Sequence, residues 1–276
     1  LEAMQLWLDS IEKIYGQNAQ NIGLLTSTDF GLIPRILGGE EIPMEEFLVG
    51  LDPISRGIVL HGGLFNYNRA RLAGDVSPPA LETEARPMNI VEKIIAQHAV
   101  ADAATGRLGV ESVLPGDAVF VRADIRFSHD YTTAMCASLF KEALGSDARV
   151  KEPDSIFAFR DHLTFLGDVM PEKHRALGLL DRADNLATVQ RDFAHEQGIR
   201  LYDEMQGDEG TKGSEAICHN AVLDDLALPG QIVCGTDSHT CTAGALGCFA
   251  FGVGATDMAN AWYTQDVRVK VPRTVR

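Results

Sequence analysis

Asp237, Ser238 and His239 put a carboxylate, a hydroxyl and an imidazole on three consecutive residues. They follow the apolar run Ile232, Val233 and Cys234, and a small-residue segment holding Gly244, Gly247, Gly252 and Gly254 comes after them. Together with Gly235, that density of glycine implies close backbone approach or positive φ. A strand followed by a polar triplet is how open α/β sheets place chemistry at a strand's carboxyl end. Three further sites join it. His129-Asp130 follows the segment Val119 to Phe127, Asp161-His162 follows Phe157 to Phe159, and His219 sits in Ala216-Ile-Cys-His-Asn220. If the strands are parallel, their ends share one edge, and His129, His162, His219 and His239 converge on one crevice. Such a cluster suits proton transfer and carboxylate handling. An aspartate bonded to a histidine fixes the ring tautomer and raises its basicity. The imidazoles with Ser238 could also hold the carboxylate oxygens of a small acid. Taken singly, His129 reads as a loop residue and His219 equally as a satisfied core histidine. His61 reads as turn chemistry, and His98, His174 and His195 as solvated.

Other chemistries fit less well. Ser238 has His239 beside it, but consecutive residues rarely form a nucleophile and base, and Gly-x-Ser-x-Gly is absent. Gly252-Val-Gly254 lacks the third glycine of a dinucleotide fingerprint. No His-Glu-x-x-His and no Gly-Lys-Ser/Thr loop occur. The five cysteines, Cys136, Cys218, Cys234, Cys241 and Cys248, form no Cys-x-x-Cys pair and read as small reduced hydrophobes. No metal-ligand set is assigned to them.

The elements that must position these residues alternate. The regular part begins at Pro87. Asn89 to Glu92 fits a capping box opening a helix through His98. Strands are expected at 117–124, 155–159, 199–202 and 231–234, and helices at 131–144, 183–197 and 256–264. Gly145 and Gly198 stop two of the helices. This order predicts an α/β fold with a doubly wound, mainly parallel sheet over 87–276. Residues 1–86 read as a helical and irregular N-terminal extension of unknown role. Within it, Leu8, Ile11, Ile14 and Tyr15 share one face of a helix over 6–15, and 74–87 reads as a linker or arm.

The chain has 276 residues and a net charge of −15, from 39 acidic against 24 basic residues. That balance argues against nucleic acid and anionic membrane surfaces as partners. It also requires local positive charge to hold an anionic substrate. No apolar run long enough to span a bilayer and no secretory signal are visible, so a cytoplasmic protein is expected.

At these residues the sequence resembles the aconitase superfamily, most closely the large subunits of 3-isopropylmalate dehydratase and homoaconitase-like enzymes. The pieces that carry the resemblance are His129-Asp130-x-Thr132, Phe159-Arg-Asp161-His162, Glu196-Gln-Gly198-Ile-x-Leu201-Tyr202, Ile217-Cys-His219-Asn, Leu228-Pro-Gly230, Gly235-Thr-Asp237-Ser238-His239-Thr240 and Gly252-Val-Gly-Ala-Thr-Asp257. They run in order over about residues 87 to 276. The resemblance implies a hydro-lyase that dehydrates and rehydrates hydroxy di- or tricarboxylic acids, in amino-acid biosynthesis, with a [4Fe-4S] cluster as Lewis acid. Carried over by motif, Asp161, His162, His219, Asp237 and His239 are catalytic, and His129 and Ser238 contact the substrate.

The departures matter as much. The family's Cys-Thr-Asn motif and later Cys-x-x-Cys, which hold the cluster, are absent from these residues. Two readings follow. The chain is a hydro-lyase subunit supplying the histidine and aspartate wall, with a cluster-bearing chain and a small swivel-domain subunit as partners. Alternatively, it is a cluster-free carboxylate-binding or assembly subunit without catalysis of its own.

Overall fold

The structure, a computed structural model, describes residues 6–7, 11–81, 83–207 and 210–275. It divides into two compact units, one of Leu1–Arg122 with Asp266–Arg276 and one of Ala123–Gln265.

The second unit carries all the candidate site residues. Its elements are β1 (Ile125–His129), α1 (Asp130–Leu144), β2 (Ile156–Phe159), α2 (Leu179–Gln197), β3 (Arg200–Tyr202), α3 (Cys218–Ala221), β4 (Ile232–Gly235), β5 (Phe249–Gly252) and α4 (Ala255–Thr264). The five strands are parallel, in the order β5-β4-β1-β2-β3. The expected doubly wound α/β sheet is therefore present. The chain winds outward from β1 to β3, then returns past β1 to lay down β4 and β5. The winding direction reverses between β1 and β4, and the crevice outside the carboxyl ends of such a pair is where open sheets bind ligands.

The two faces of β1 explain why it is central. Ile125 and Phe127 point into an apolar cluster with Phe159, Cys218, Val222, Val233 and Ala243. Arg126 and Ser128 point the other way. The fully buried Arg126 guanidinium donates to the main-chain oxygens of Ala261, Lys151 and Glu152. Ser128 Oγ lies 2.8 Å from Thr133 Oγ1 on α1. On that side Phe140, Phe193 and Trp262 bring α1, α2 and α4 together, with the Phe193 and Trp262 rings stacked at 4.9 Å. Gly198 ends α2 in the left-handed conformation at φ 70°, its N–H donating to Ala194. A residue with a Cβ pays for that geometry and glycine does not.

β1 departs from expectation. The sequence reads as one strand over 117–124, whereas the chain forms two, Ala118–Arg122 and β1. The first belongs to the first unit, within which it pairs antiparallel with Asp266–Lys270. An antiparallel hairpin at Glu204–Gly207 and Gly210–Ser214 and strand β5 are further elements the sequence did not announce.

In the first unit, Ile54, Ile58, Leu64 and Tyr67, on the helices Pro53–Leu60 and Leu64–Ala73, pack on Phe120. Arg71, 1% exposed, pairs with Asp266 at 2.7 Å and lies 3.5 Å over the Phe120 ring. Much of the N-terminal stretch therefore shares a core with later strands. The helix expected over 6–15 is corrected: Leu6–Trp7 is a strand and the helix runs Lys13–Asn21. Glu12 sets its start, its carboxylate accepting from the N–H groups of Ile14 and Tyr15. Its buried face is Gly16, Ala19 and Asn21, while Ile14 and Tyr15 are exposed. Leu8 lies outside the described residues. The capping box at Asn89 and Glu92 forms as expected. Among the described residues no helix is long and apolar enough to cross a membrane.

Candidate active site

The site is built on the carboxyl edge of the parallel sheet. His129 is the last residue of β1, Asp161 and His162 follow β2, and Asp237 to His239 follow β4. His219 comes from α3, whose Cys218 and Ala221 anchor it in the apolar cluster. All four expected histidines meet in one place: Asp237 is the hub of His162, His219 and His239, and His129 joins by stacking on His162. His219 Nε2 lies 2.8 Å from Asp237 Oδ1, and His239 Nδ1 lies 3.3 Å from the same oxygen. The main-chain N–H of His239 also donates to it, at 2.7 Å. His162 Nε2 faces the second oxygen, Oδ2, at 3.4 Å. On its other side His162 Nδ1 meets Asp161 Oδ1 at 2.8 Å, and Asp161 Oδ2 accepts from Cys218 N at 2.7 Å. The His129 and His162 rings stack 3.8 Å apart at 15°. Ser238 Oγ lies 3.1 Å from His239 Nδ1.

Two glycines allow this approach. A Cβ on Gly235 would sit 2.4 Å from the Phe127 ring and 2.5 Å from Thr240 Oγ1. One on Gly252 would meet the Asp237 carbonyl at 2.7 Å. The Thr132 and Thr236 hydroxyls, 2.6 Å apart, join the end of β1 to the loop after β4.

Electrostatics assigns the protons. Burial opposes ionisation of Asp237, but the His239 N–H and the His219 and His162 imidazoles outweigh it and pull its carboxyl down from 3.8 to about 2. Asp237 is thus ionised at neutral pH and has no proton to give, so His219 Nε2 carries the hydrogen in that contact. Burial also opposes protonation of His162. Asp161, Asp130 and Asp237 outweigh it and raise its pKa above the ordinary 6.5. A carboxylate at each ring nitrogen favours the protonated form of this imidazole.

Two residues went unassigned on sequence and belong to the site's frame. Asp130, fully buried, accepts from Arg160 Nη1 at 3.2 Å and from Leu163 N at 2.8 Å. Arg160 is 4% exposed and also pairs with Glu204 at 3.1 Å. Both lie inside quoted motifs, but nothing in the sequence pairs two residues 30 positions apart.

Two compact groups of potential metal ligands occur among the described residues, His129-Asp130-His162 and His219-Asp237-His239, and neither contains a cysteine. In the second, Asp237 Oδ1 already takes three donors. In the first, both His162 nitrogens face carboxylates. Asp237 Oδ1 and both His162 nitrogens are thus already partnered within the protein.

The [4Fe-4S] cluster that the resemblance implies needs three thiolates side by side. The cysteines present do not fit it. Cys136, Cys218, Cys234 and Cys248 are buried and scattered over separate elements, and Cys241 is exposed. Burial pushes the Cys136 thiol up to about 12 and raises those of Cys218, Cys234 and Cys248, so the thiolate that would bind iron is disfavoured.

Comparison with known proteins agrees with the geometry. The model of the aconitase family (aconitate hydratase) matches residues 92–276. The 3-isopropylmalate dehydratase large subunit 1 of Pyrococcus furiosus is 35% identical over 191 residues, 68% of this chain and 38% of its own length. The methanogen homoaconitase large subunit of Methanocaldococcus jannaschii is 34% identical over 68% of this chain and 37% of its own. The chloroplastic 3-isopropylmalate dehydratase large subunit of Arabidopsis thaliana is 31% identical over 73% and 36%. The chain thus spans just over a third of the length of these curated relatives. With its site residues inside the matched region, the chain belongs to the aconitase family.

Proposed function

We propose that residues 123–265 form the histidine and aspartate wall of a hydro-lyase site acting on a hydroxy di- or tricarboxylic acid of the isopropylmalate type. One observation carries this reading: a single ionised carboxylate, Asp237, faces His162, His219 and His239 at the sheet's switch point. Dehydration removes hydroxide from one carbon and a proton from its neighbour; the base that takes that proton would come from the completing chains. Hydroxide is a poor leaving group unless a proton reaches it first. His162, its protonated form favoured by Asp161 and Asp237, is the donor that lets it depart as water. His219, its Nε2–H fixed on Asp237, orients the opposite side. His129 and Ser238 hold substrate carboxylate oxygens, supplying hydrogen-bonding character in an acidic chain.

The cysteines in hand do not build a cluster, so no step is assigned to one here. A cluster-bearing chain and a small swivel-domain subunit would complete the enzyme. The burial of four of the five cysteines also favours a second reading, a carboxylate-binding subunit that performs no catalysis itself.

One experiment separates the two. The chain is treated anaerobically with iron and sulfide, alone and with candidate partner chains, and assayed on a panel of 2- and 3-hydroxy acids. Turnover that needs the partners and vanishes in His162→Gln supports the hydro-lyase reading. Substrate binding without turnover under every condition favours the binding subunit. Turnover untouched by His162→Gln overturns the proton-donor assignment.

A further inference from the structure

The loop 160–165 after β2 carries Asp161 and His162 and contains no regular structure. It ends at Phe165, which is held at φ 65°, a left-handed conformation that a bulky residue rarely adopts. Something outside the loop must fix it. Asp130 Oδ2 accepts from Arg160 Nη1, immediately before the pair, and from Leu163 N, immediately after it. One carboxylate oxygen therefore brackets both residues. Its other oxygen, Oδ1, is buried, makes no hydrogen bond and lies 3.8 Å from His129 Nδ1. Asp130 thus reaches both members of the stacked imidazole pair, from the first residue of α1. The surrounding contacts hold Asp130 and its partners in place. Arg160 N donates to Tyr202 O, and Arg160 Nε pairs with Glu204. Gln190 Nε2 donates both to Thr133 Oγ1 on α1 and to Phe159 O at the end of β2.

We infer that Asp130 is a positioning residue: it clamps the Asp161-His162 loop through Arg160 and Leu163 and sets the register of His162 against Asp237. It acts through other groups and touches no substrate. The inference rests on the reading of Asp161 and His162 as the proton-handling pair only for its functional meaning. Its test reads the titration of His162, so it can fail while the hydro-lyase reading stands, and the reverse. The groups facing His162 are Asp161, Asp237, Asp130 and the stacked His129. Removing the Asp130 charge takes away one of the three carboxylates and loosens a second, Asp161.

The test is Asp130→Asn in the full chain, with histidine ring nitrogens followed by NMR against pH and amide exchange measured residue by residue. The expected result is a fall of about one pH unit in the His162 midpoint, a tenfold fall in the ratio of protonated to neutral imidazole at fixed pH. The Leu163 amide is expected to lose protection at least tenfold (about one logarithmic unit), while the β1 and β2 amides keep theirs. Asp266→Asn, which breaks a buried ion pair in the other unit, is the control for lost stability alone and is expected to leave the His162 midpoint in place. Arg160→Lys keeps a cation but cannot bond Asp130 and Glu204 together, and it is expected to shift His162 in the same direction by less. It decides the matter by itself if Asp130→Asn does not fold. An unchanged His162 midpoint in the folded variants, or protection falling uniformly across the sheet, overturns the inference.

Discussion

Replacing Asp237 by asparagine keeps the shape of the hub and removes its charge. The folded protein prefers the ionised form strongly, because the carboxyl falls from 3.8 to about 2. At about 1.36 kcal/mol per unit, a shift of nearly two units is worth about 2 kcal/mol of stability. The side chain is 13% exposed but its partners His162 and His239 are 35% and 78% exposed, so solvent screening makes this an upper figure. The sign follows from the direction of the shift. A depressed carboxyl stabilises the fold fully above its unfolded pKa, about 4, and the contribution is lost as pH falls toward the folded value. The assay is urea unfolding of the wild type and Asp237→Asn at steps from pH 7 downward, as far as both remain folded. Other carboxylates titrate in both proteins and cancel in the difference. The gap is expected to be up to about 2 kcal/mol at pH 7 and to close through the region below about pH 4. A gap independent of pH would refute the assignment of Asp237 as a partly buried, multiply bonded carboxylate.

Four further outcomes are expected. Gly235→Ala drives a Cβ to within 2.4 Å of the Phe127 ring, and a melting curve is expected to show a loss of about 1–3 kcal/mol, since neither Phe127 nor Thr240 has room to retreat. Arg126→Met strands the carbonyls of Ala261, Lys151 and Glu152, so chemical denaturation is expected to register a loss of about 3 kcal/mol or more. In a complemented enzyme, rate measured against pH is expected to fall as pH rises through a value above 6.5, because the active form of His162 is the cation. A rate that increases across that range would contradict the donor role. Cysteine labelling by a thiol reagent is expected to modify Cys241 first in the native chain, the other four reacting only on unfolding.

Much of the site was legible because its polar residues sit directly after apolar runs. Asp161-His162 after Phe157–Phe159, and Asp237–His239 after Ile232–Cys234, have the form of strand-end residues, and the parallel sheet then brings them together. The strand holding His129 was not separable from its neighbour. Arg126 and Ser128 interrupt its apolar pattern, and their burial makes sense only once the carbonyls of α4 and the loop at 151–152 surround the guanidinium. The contribution of Asp130 was hidden for the same reason, since its meaning depends on Arg160 across a loop. Near the N-terminus the hydrophobic spacing points to a helix over 6–15, but the capping carboxylate of Glu12 fixes the first turn locally and starts the helix at Lys13. β5 was lost among glycines, whose value lies in the approach of Asp237 to Gly252 rather than in any strand signal.

The claim at the centre is that one edge of the sheet gathers His129, His162, His219 and His239 into a carboxylate-binding half-site. Histidine NMR spectra recorded during titration with 3-isopropylmalate test it most directly. The expected result is that these four signals shift together and saturate with a single binding constant, while His61, His98, His174 and His195 stay still. Movement spread evenly over all eight histidines, or none that saturates at the four, would contradict it.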